Sequence, residues 1–179
     1  DLDVDLFAQL PASKTVSLCL MDSQLKLIKN GTAINADASQ CTSAIFSNTK
    51  SIFERFEMIE FSNTRPMNGT KLCPLMFKDT QFMLMTISRY QSVDKLKFHD
   101  LNDLNDLNFQ VNVIEFDSIQ SLKLERNFLI RTISNKTTTI MIRKSTLVAI
   151  DIDAFDDMYQ LKSLSIDDIK FDQFYLMFK

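Results

Sequence analysis

Few residues of this chain could carry chemistry, and most of them stand far apart. The single histidine, His99, is followed by Asp100, which would make half of a nucleophilic triad. The other half has no place to sit. A G-x-S-x-G elbow needs two glycines around a serine, and the two glycines present, Gly31 and Gly69, each stand in an Asn-Gly-Thr triplet. The stretch Leu101-Asn102-Asp103-Leu104-Asn105-Asp106-Leu107-Asn108 offers oxygen ligands of the kind calcium takes. It lacks the glycine and the terminal glutamate of an EF-hand loop, so a polar loop pinned by three leucines is expected. Asp151, Asp153, Asp156 and Asp157 read as a solvated turn rather than as paired catalytic carboxylates. One histidine and no Cys-x-x-Cys pair give zinc little support. The expectation is a protein that is not an enzyme and uses neither metal nor cofactor.

The residues that invite modification are more numerous. Asn30-Gly31-Thr32, Asn68-Gly69-Thr70 and Asn135-Lys136-Thr137 are N-glycosylation acceptors, and three together point to a secreted or cell-surface glycoprotein. The cysteines are Cys19, Cys41 and Cys73, so at most one internal disulfide can form. Cys41 and Cys73 lie in apparent connections, and pairing them would stabilise the fold by roughly 3–4 kcal/mol in the chain-entropy view. Cys19 sits in the alternating run Val16-Ser17-Leu18-Cys19-Leu20, and Cys19–Cys41 is the second choice.

Composition narrows the class further. A chain of 179 residues, 45% hydrophobic and 24% charged, is long enough for one domain with a proper core. With two glycines it has no glycine-rich loop to cradle phosphate. A net charge of −3 without a dense Lys/Arg cluster argues against nucleic acid. No apolar run approaches the ~18 residues of a membrane helix. The chain begins with Asp1, so either a signal peptide has been removed or this is a segment of something larger. Fifteen phenylalanines and no tryptophan are unusual.

A repeated spacing must position all of this. Ile119-x-x-Leu122-x-Leu124-x-x-Asn127-x-Leu129 is the most complete instance, followed by Thr137-x-x-Ile140-x-Ile142-x-x-Ser145-x-Leu147 and Leu161-x-x-Leu164-x-Ile166. Upstream stand Thr15-x-x-Leu18-x-Leu20-x-x-Ser23-x-Leu25, Phe56-x-x-Ile59-x-Phe61-x-x-Thr64 and Phe82-x-x-Met85-x-Ile87. Val111-x-x-Ile114-x-Phe116 competes with the Ile119 register. Starts at 56, 82, 111, 137 and 161 give steps of 26, 29, 26 and 24, whereas 41 residues separate 15 from 56 and imply an extra loop or a degenerate coil. The fourth and sixth positions are two apart on a strand, so both side chains enter one core. A polar ninth residue can bond backbone at the inward turn that follows. An Ala-Phe pair in Ile152–Met158 then packs inward on the return, as Phe77 does in residues 73–80.

This spacing resembles the extracellular leucine-rich-repeat family, chiefly over residues 119–171. Residues 1–179 then form a single α/β solenoid domain, with a parallel sheet on the concave face and short helices or turns on the convex one. The part from about 1 to 55 is less regular, and an α+β domain is the rival. The resemblance implies that a protein partner binds the concave face, where Glu60, Arg89, Glu115, Asp117, Arg143, Lys144, Asp167 and Asp168 would stand. The end of the chain, with Phe171, Phe174, Tyr175 and Phe178, leaves an apolar interior uncapped. Two functions follow as expectations: an extracellular recognition or adhesion module carrying N-linked glycans, or a structural component whose uncapped ends stack into a fibre or matrix.

Overall fold

The computed structural model describes residues 2–3, 16–22, 24–25, 27–29, 32–33, 52–63, 65–66, 73–92, 107–126, 128–129, 133 and 135–177. Its strands, in chain order, are β1 (Leu2–Asp3), β2 (Val16–Met21), β3 (Gln24–Leu25), β4 (Leu27–Lys29), β5 (Thr32–Ala33), β6 (Phe56–Ser62) and β7 (Arg65–Pro66). They continue with β8 (Gln81–Ser88), β9 (Gln110–Asp117), β10 (Leu122–Leu124), β11 (Thr139–Arg143), β12 (Thr146–Asp151), β13 (Ser163–Asp167) and β14 (Lys170–Met177). A six-stranded sheet runs β13-β11-β9-β8-β6-β2, every neighbouring pair parallel. A second parallel sheet runs β10-β12-β14. The chain is a solenoid, and three successive turns, entered at β9, β11 and β13, give a strand to each sheet.

Strand register is the direct record of the repeat. Leu18 lies opposite Ile59, Ile59 opposite Met85, Met85 opposite Ile114, Ile114 opposite Ile140, and Ile140 opposite Leu164. Two residues on, Leu20, Phe61, Ile87, Phe116, Ile142 and Ile166 form a second ladder. The Val111 register therefore enters the main sheet, and the Ile119 spacing belongs to β10, the second strand of the same turn. Both spacings are apolar because both strands line one interior. Since β2 bonds directly to β6, the 41-residue interval places no further strand between them.

The second sheet arises from a corner that the spacing does not announce. Directly after the main-sheet strand of each turn one residue takes positive φ: Asp22 (44°), Asn63 (45°), Arg89 (58°), Ser118 (57°), Lys144 (48°) and Asp168 (51°). Its N–H donates to the last carbonyl of the next strand: Asp22 to Ser62, Asn63 to Ser88, Arg89 to Asp117, Ser118 to Arg143 and Lys144 to Asp167, at 2.9–3.1 Å. A left-handed residue turns the chain out of the first sheet, and in three turns a strand follows where a convex helix is expected. The helical component of the expected α/β class shrinks accordingly. Among the described residues it amounts to little more than 3-10 turns at Ile52–Arg55 and Pro74–Phe77.

Phenylalanine fills the interior where the chain returns. Phe77 is fully buried and meets four other rings: Phe53 at 4.6 Å, Phe109 at 4.9 Å, Phe82 at 6.1 Å and Phe61 at 6.5 Å. Phe53, Phe77 and Phe109 belong to successive turns, so the phenylalanine excess is an aromatic column along the solenoid. Such tilted and offset pairs add roughly 0.5–1.5 kcal/mol each beyond their buried area. Farther along, Phe128 joins Phe116 to Phe155 at 6.0 and 6.1 Å. Ala154 is buried beside this second group, as the return element requires. No helix among the described residues is long and apolar enough to cross a membrane.

Candidate functional site

The outward positions of the six-stranded sheet lie in rows because the strands are in register. Cys19, Glu60, Thr86, Glu115, Met141 and Ser165 form one row. Ser62, Ser88, Asp117, Arg143 and Asp167 form the next. Arg89, Lys144 and Asp168 occupy the corners beyond. Of the residues expected on the concave face, Glu60, Glu115, Asp117, Arg143 and Asp167 lie on one side of this sheet, whereas Arg89, Lys144 and Asp168 stand at the corners after its strands. Their environments differ.

Glu60 and Glu115 are spent on neighbouring strands. Cys19 Sγ donates to Glu60 Oε2 at 3.2 Å, and Ser88 Oγ donates to Glu60 Oε1 at 2.8 Å. Thr86 Oγ1 donates to Glu115 Oε2 at 3.1 Å, while Arg143 Nη1 forms an ion pair with Glu115 Oε1 at 3.0 Å. Each carboxylate thus bridges two strands with both oxygens. Hydrogen bonding to Glu115 raises the Arg143 guanidinium still further above its ordinary value, and Asp167 and Asp117 reinforce it. Burial and then the Glu60 carboxylate push the Cys19 thiol up to about 11, with Arg89 opposing. A reactive cysteine needs the opposite shift, so this side chain is a protonated donor at neutral pH.

The corner charges are different. Arg89, Lys144 and Asp168 are exposed. Along the last three corners runs an open groove of about 330 Å³, lined by Ser118, Ile119, Gln120, Lys144, Thr146, Asp168 and Lys170. Two ammonium groups and one carboxylate stand beside hydroxyl and amide groups, a surface of mixed sign built by stacking rather than by one loop. Behind it Ser145 is buried; its hydroxyl donates to the Arg143 carbonyl at 2.7 Å and accepts from the Ile119 N–H at 3.0 Å. That is the role expected of a polar ninth residue. Asn127, the strongest example in the sequence, lies outside the described residues.

Other candidates fall elsewhere. His99, Asp100 and residues 101–106 lie outside the described residues, while Leu107 is buried and Asn108 Nδ2 donates to Asp79 Oδ1 at 3.4 Å. Asp151 is not solvated as expected: it is 6% exposed, and its Oδ2 accepts the Arg126 N–H at 3.2 Å while Asp153 pairs with the Arg126 side chain at 3.4 Å. Among the described residues no three His, Cys, Asp or Glu side chains gather as a metal site would require. Asn30, Asn68 and Cys41 lie outside the described residues. Asn135 is half-buried in a turn, and Thr137 Oγ1 is buried against the Val111 and Ile133 carbonyls, a packing role that accounts for this threonine without a glycan. Cys73 is buried, and Cys19 is a free thiol, which removes Cys19–Cys41 as a pairing. Phe171 is 63% exposed; Phe174 and Tyr175 lie on β14, and Phe178 lies outside the described residues.

No family model, curated protein or solved structure matches this chain. The corner residues were not expected as a set, although their positions repeat with the spacing itself, two residues after each sixth position. The signal available was a polar residue at that offset in every turn, with Asp or Asn, the natural occupants of left-handed backbone, in three of six.

Proposed function

We propose that the chain is a non-catalytic, extracellular recognition module that binds a protein partner along the corner groove and the exposed charges beside it. The observation that supports this reading is the contrast within one face. Glu60 and Glu115 are internally paired, whereas Lys144, Asp168 and Lys170 are exposed around a groove that spans three turns. Charges of alternating sign at regular spacing select partners by electrostatic fit and register more than by raw affinity. Kinship with extracellular leucine-rich repeats, N-linked glycans on Asn30, Asn68 and Asn135, and a Cys41–Cys73 disulfide belong to the same proposal. Cys19 being free favours that pairing over Cys19–Cys41.

The test has two arms. Secretion from a eukaryotic host should give material that loses mass with an N-glycosidase, and an unchanged mass would remove the extracellular glycoprotein reading. A protein retained by immobilised wild-type chain should be lost when Lys144→Glu and Lys170→Glu are combined. Equal retention would sink the groove as the binding surface.

A second reading, self-association through the last turn, is favoured by a separate observation. The ladder residues Leu164 and Ile166 are 41% and 45% exposed, although Ile140 and Ile142 one turn earlier are fully buried.

A further inference from the structure

We propose that Asp151 and Asp153 hold a calcium ion in the return turn that follows β12. The argument begins with an aspartate in a place that alternation gives to an apolar side chain. Burial alternates along β12, and its buried residues are Leu147, Ala149 and Asp151. The Asp151 Oδ2 accepts from the Arg126 N–H at 3.2 Å. Its Oδ1 is buried and meets no donor among the described residues. Two residues on, Asp153 repeats the arrangement. Its Oδ2 pairs with the Arg126 guanidinium at 3.4 Å, and its Oδ1 is buried without a donor. Both carboxylates thus converge on Arg126 from one turn, each with one oxygen satisfied and one bare.

The charge does not balance either. Two carboxylates face one guanidinium, and that side chain is 55% exposed, so solvent screens its attraction while the bare oxygens are cut off from solvent. Buried carboxylates are paired with a cation or coordinate a metal, and a buried oxygen without a donor calls for a group that supplies one. A water would satisfy the oxygens and leave the excess negative charge. A cation between the two carboxylates answers both needs. No third His, Cys, Asp or Glu side chain joins them among the described residues, so a transition metal, which draws its ligands mainly from side chains, does not fit. Calcium does, because it takes about six to eight oxygens in irregular geometry and accepts backbone carbonyls and water for the remainder. The turn is tight, with the Ala154 N–H on the Asp151 carbonyl and the Asp156 N–H on the Asp153 carbonyl, which keeps such carbonyls in the same short loop. Magnesium demands a near-ideal octahedron and fits this turn less well.

Calorimetric titration of the metal-free full chain with calcium chloride should show one site, with a dissociation constant of roughly 10⁻⁴–10⁻³ M, the range of extracellular calcium modules. Calcium in excess of that constant should raise the thermal midpoint, and the same concentration of magnesium should raise it less. Asp151→Asn should abolish the calcium response. Asp153→Asn, at a half-buried position, should weaken binding at least about tenfold and decides the matter where Asp151→Asn does not fold. Asp156→Asn, an exposed carboxylate of the same turn, should leave the response unchanged. Arg126→Gln keeps the backbone N–H on Asp151 and removes the competing positive charge, so calcium should bind more tightly, the opposite of a merely structural loss. A midpoint and a heat signal that do not respond to calcium overturn the site. A response that survives Asp151→Asn and Asp153→Asn, or one that Asp156→Asn removes, overturns the assignment to this pair. The corner groove takes no part, so Lys144→Glu with Lys170→Glu should keep the calcium response, and failure here leaves the recognition reading standing.

Discussion

The turn from Thr139 to Asp151 and the turn from Ser163 to Met177 are built on the same spacing yet differ in what their residues do. Ile140 and Ile142 on β11 are fully buried, and Leu164 and Ile166 on β13 stand opposite them, 41% and 45% exposed. Alternation decides which face a side chain takes, but burial comes from the turn stacked above. A solenoid turn is therefore half of a core, completed by its neighbour. The comparison separates what the repeat encodes from what stacking supplies.

The largest effect should come from emptying the completed part. Phe77→Ala removes a fully buried ring that meets four others and should cost about 3–5 kcal/mol. Ile142→Ala should cost about 2–5 kcal/mol, whereas Ile166→Ala in the dilute monomer should cost about 1 kcal/mol or less. Urea unfolding of the variants checks this. Equal losses at 142 and 166 would mean that the last turn is as fully packed as the others.

Next in size is the buried hydroxyl behind the corner. Ser145→Ala strands the Ile119 N–H and leaves the Arg143 carbonyl with the Ser118 N–H alone, and should cost about 1–3 kcal/mol. The equivalent position in the last turn is Ile169, a half-buried apolar residue, and Ile169→Ala should lose less. A Ser145→Ala variant as stable as wild type would show that solvent or another group satisfies that amide.

These positions also show how far the sequence could be read. The steps of 26, 29, 26 and 24 reappear as strand register, because a fixed pair of inward side chains is all a stacked strand demands. Ser145 was legible for the same reason, since a small polar residue among apolar ones must bond to backbone. The corner was not. Positive φ at Arg89, Ser118 and Lys144 leaves no compositional mark of the kind glycine would leave, and neither glycine stands at any of the six corners among the described residues. Without the corner, the second apolar spacing at Ile119 looked like a rival register rather than a second strand. Of the candidate face, the row that Glu60 and Glu115 share was readable from alternation. Their mutual pairings with Ser88, Thr86 and Arg143 depend on contacts between turns 26–29 residues apart, which no local pattern reports.

The corners give a smaller, opposite effect. Lys144 holds φ at 48°, a conformation that costs a side-chain-bearing residue roughly 1–2 kcal/mol. Lys144→Gly should recover about 0.5–1 kcal/mol of this after the added freedom of the unfolded chain is counted. Lys144→Val should lose stability. Asp168→Gly, at the corner after β13, should gain less, because Asp tolerates left-handed backbone better than Lys. Thermal unfolding of the three variants resolves the order, and destabilisation by Lys144→Gly would mean that the lysine side chain holds the corner more than its backbone strains it.

The smallest effect lies at the other end of the sheet and is chemical. Cys19 on β2 has its thiol pushed from 9.0 up to about 11, first by burial and then by its hydrogen bond to Glu60. Raising the folded value favours the neutral thiol, so this contribution to stability is fully present below pH 9 and fades as pH rises through 11. Alkylation reads the thiolate directly. At pH 9 the native chain should react more slowly than the urea-unfolded chain, whose thiol has ionised further. Glu60→Gln removes the negative charge but leaves the burial, so the rate profile should move only part of the way back toward 9. A profile that returns completely would make Glu60 the whole cause and leave the first strand as open to solvent as the last.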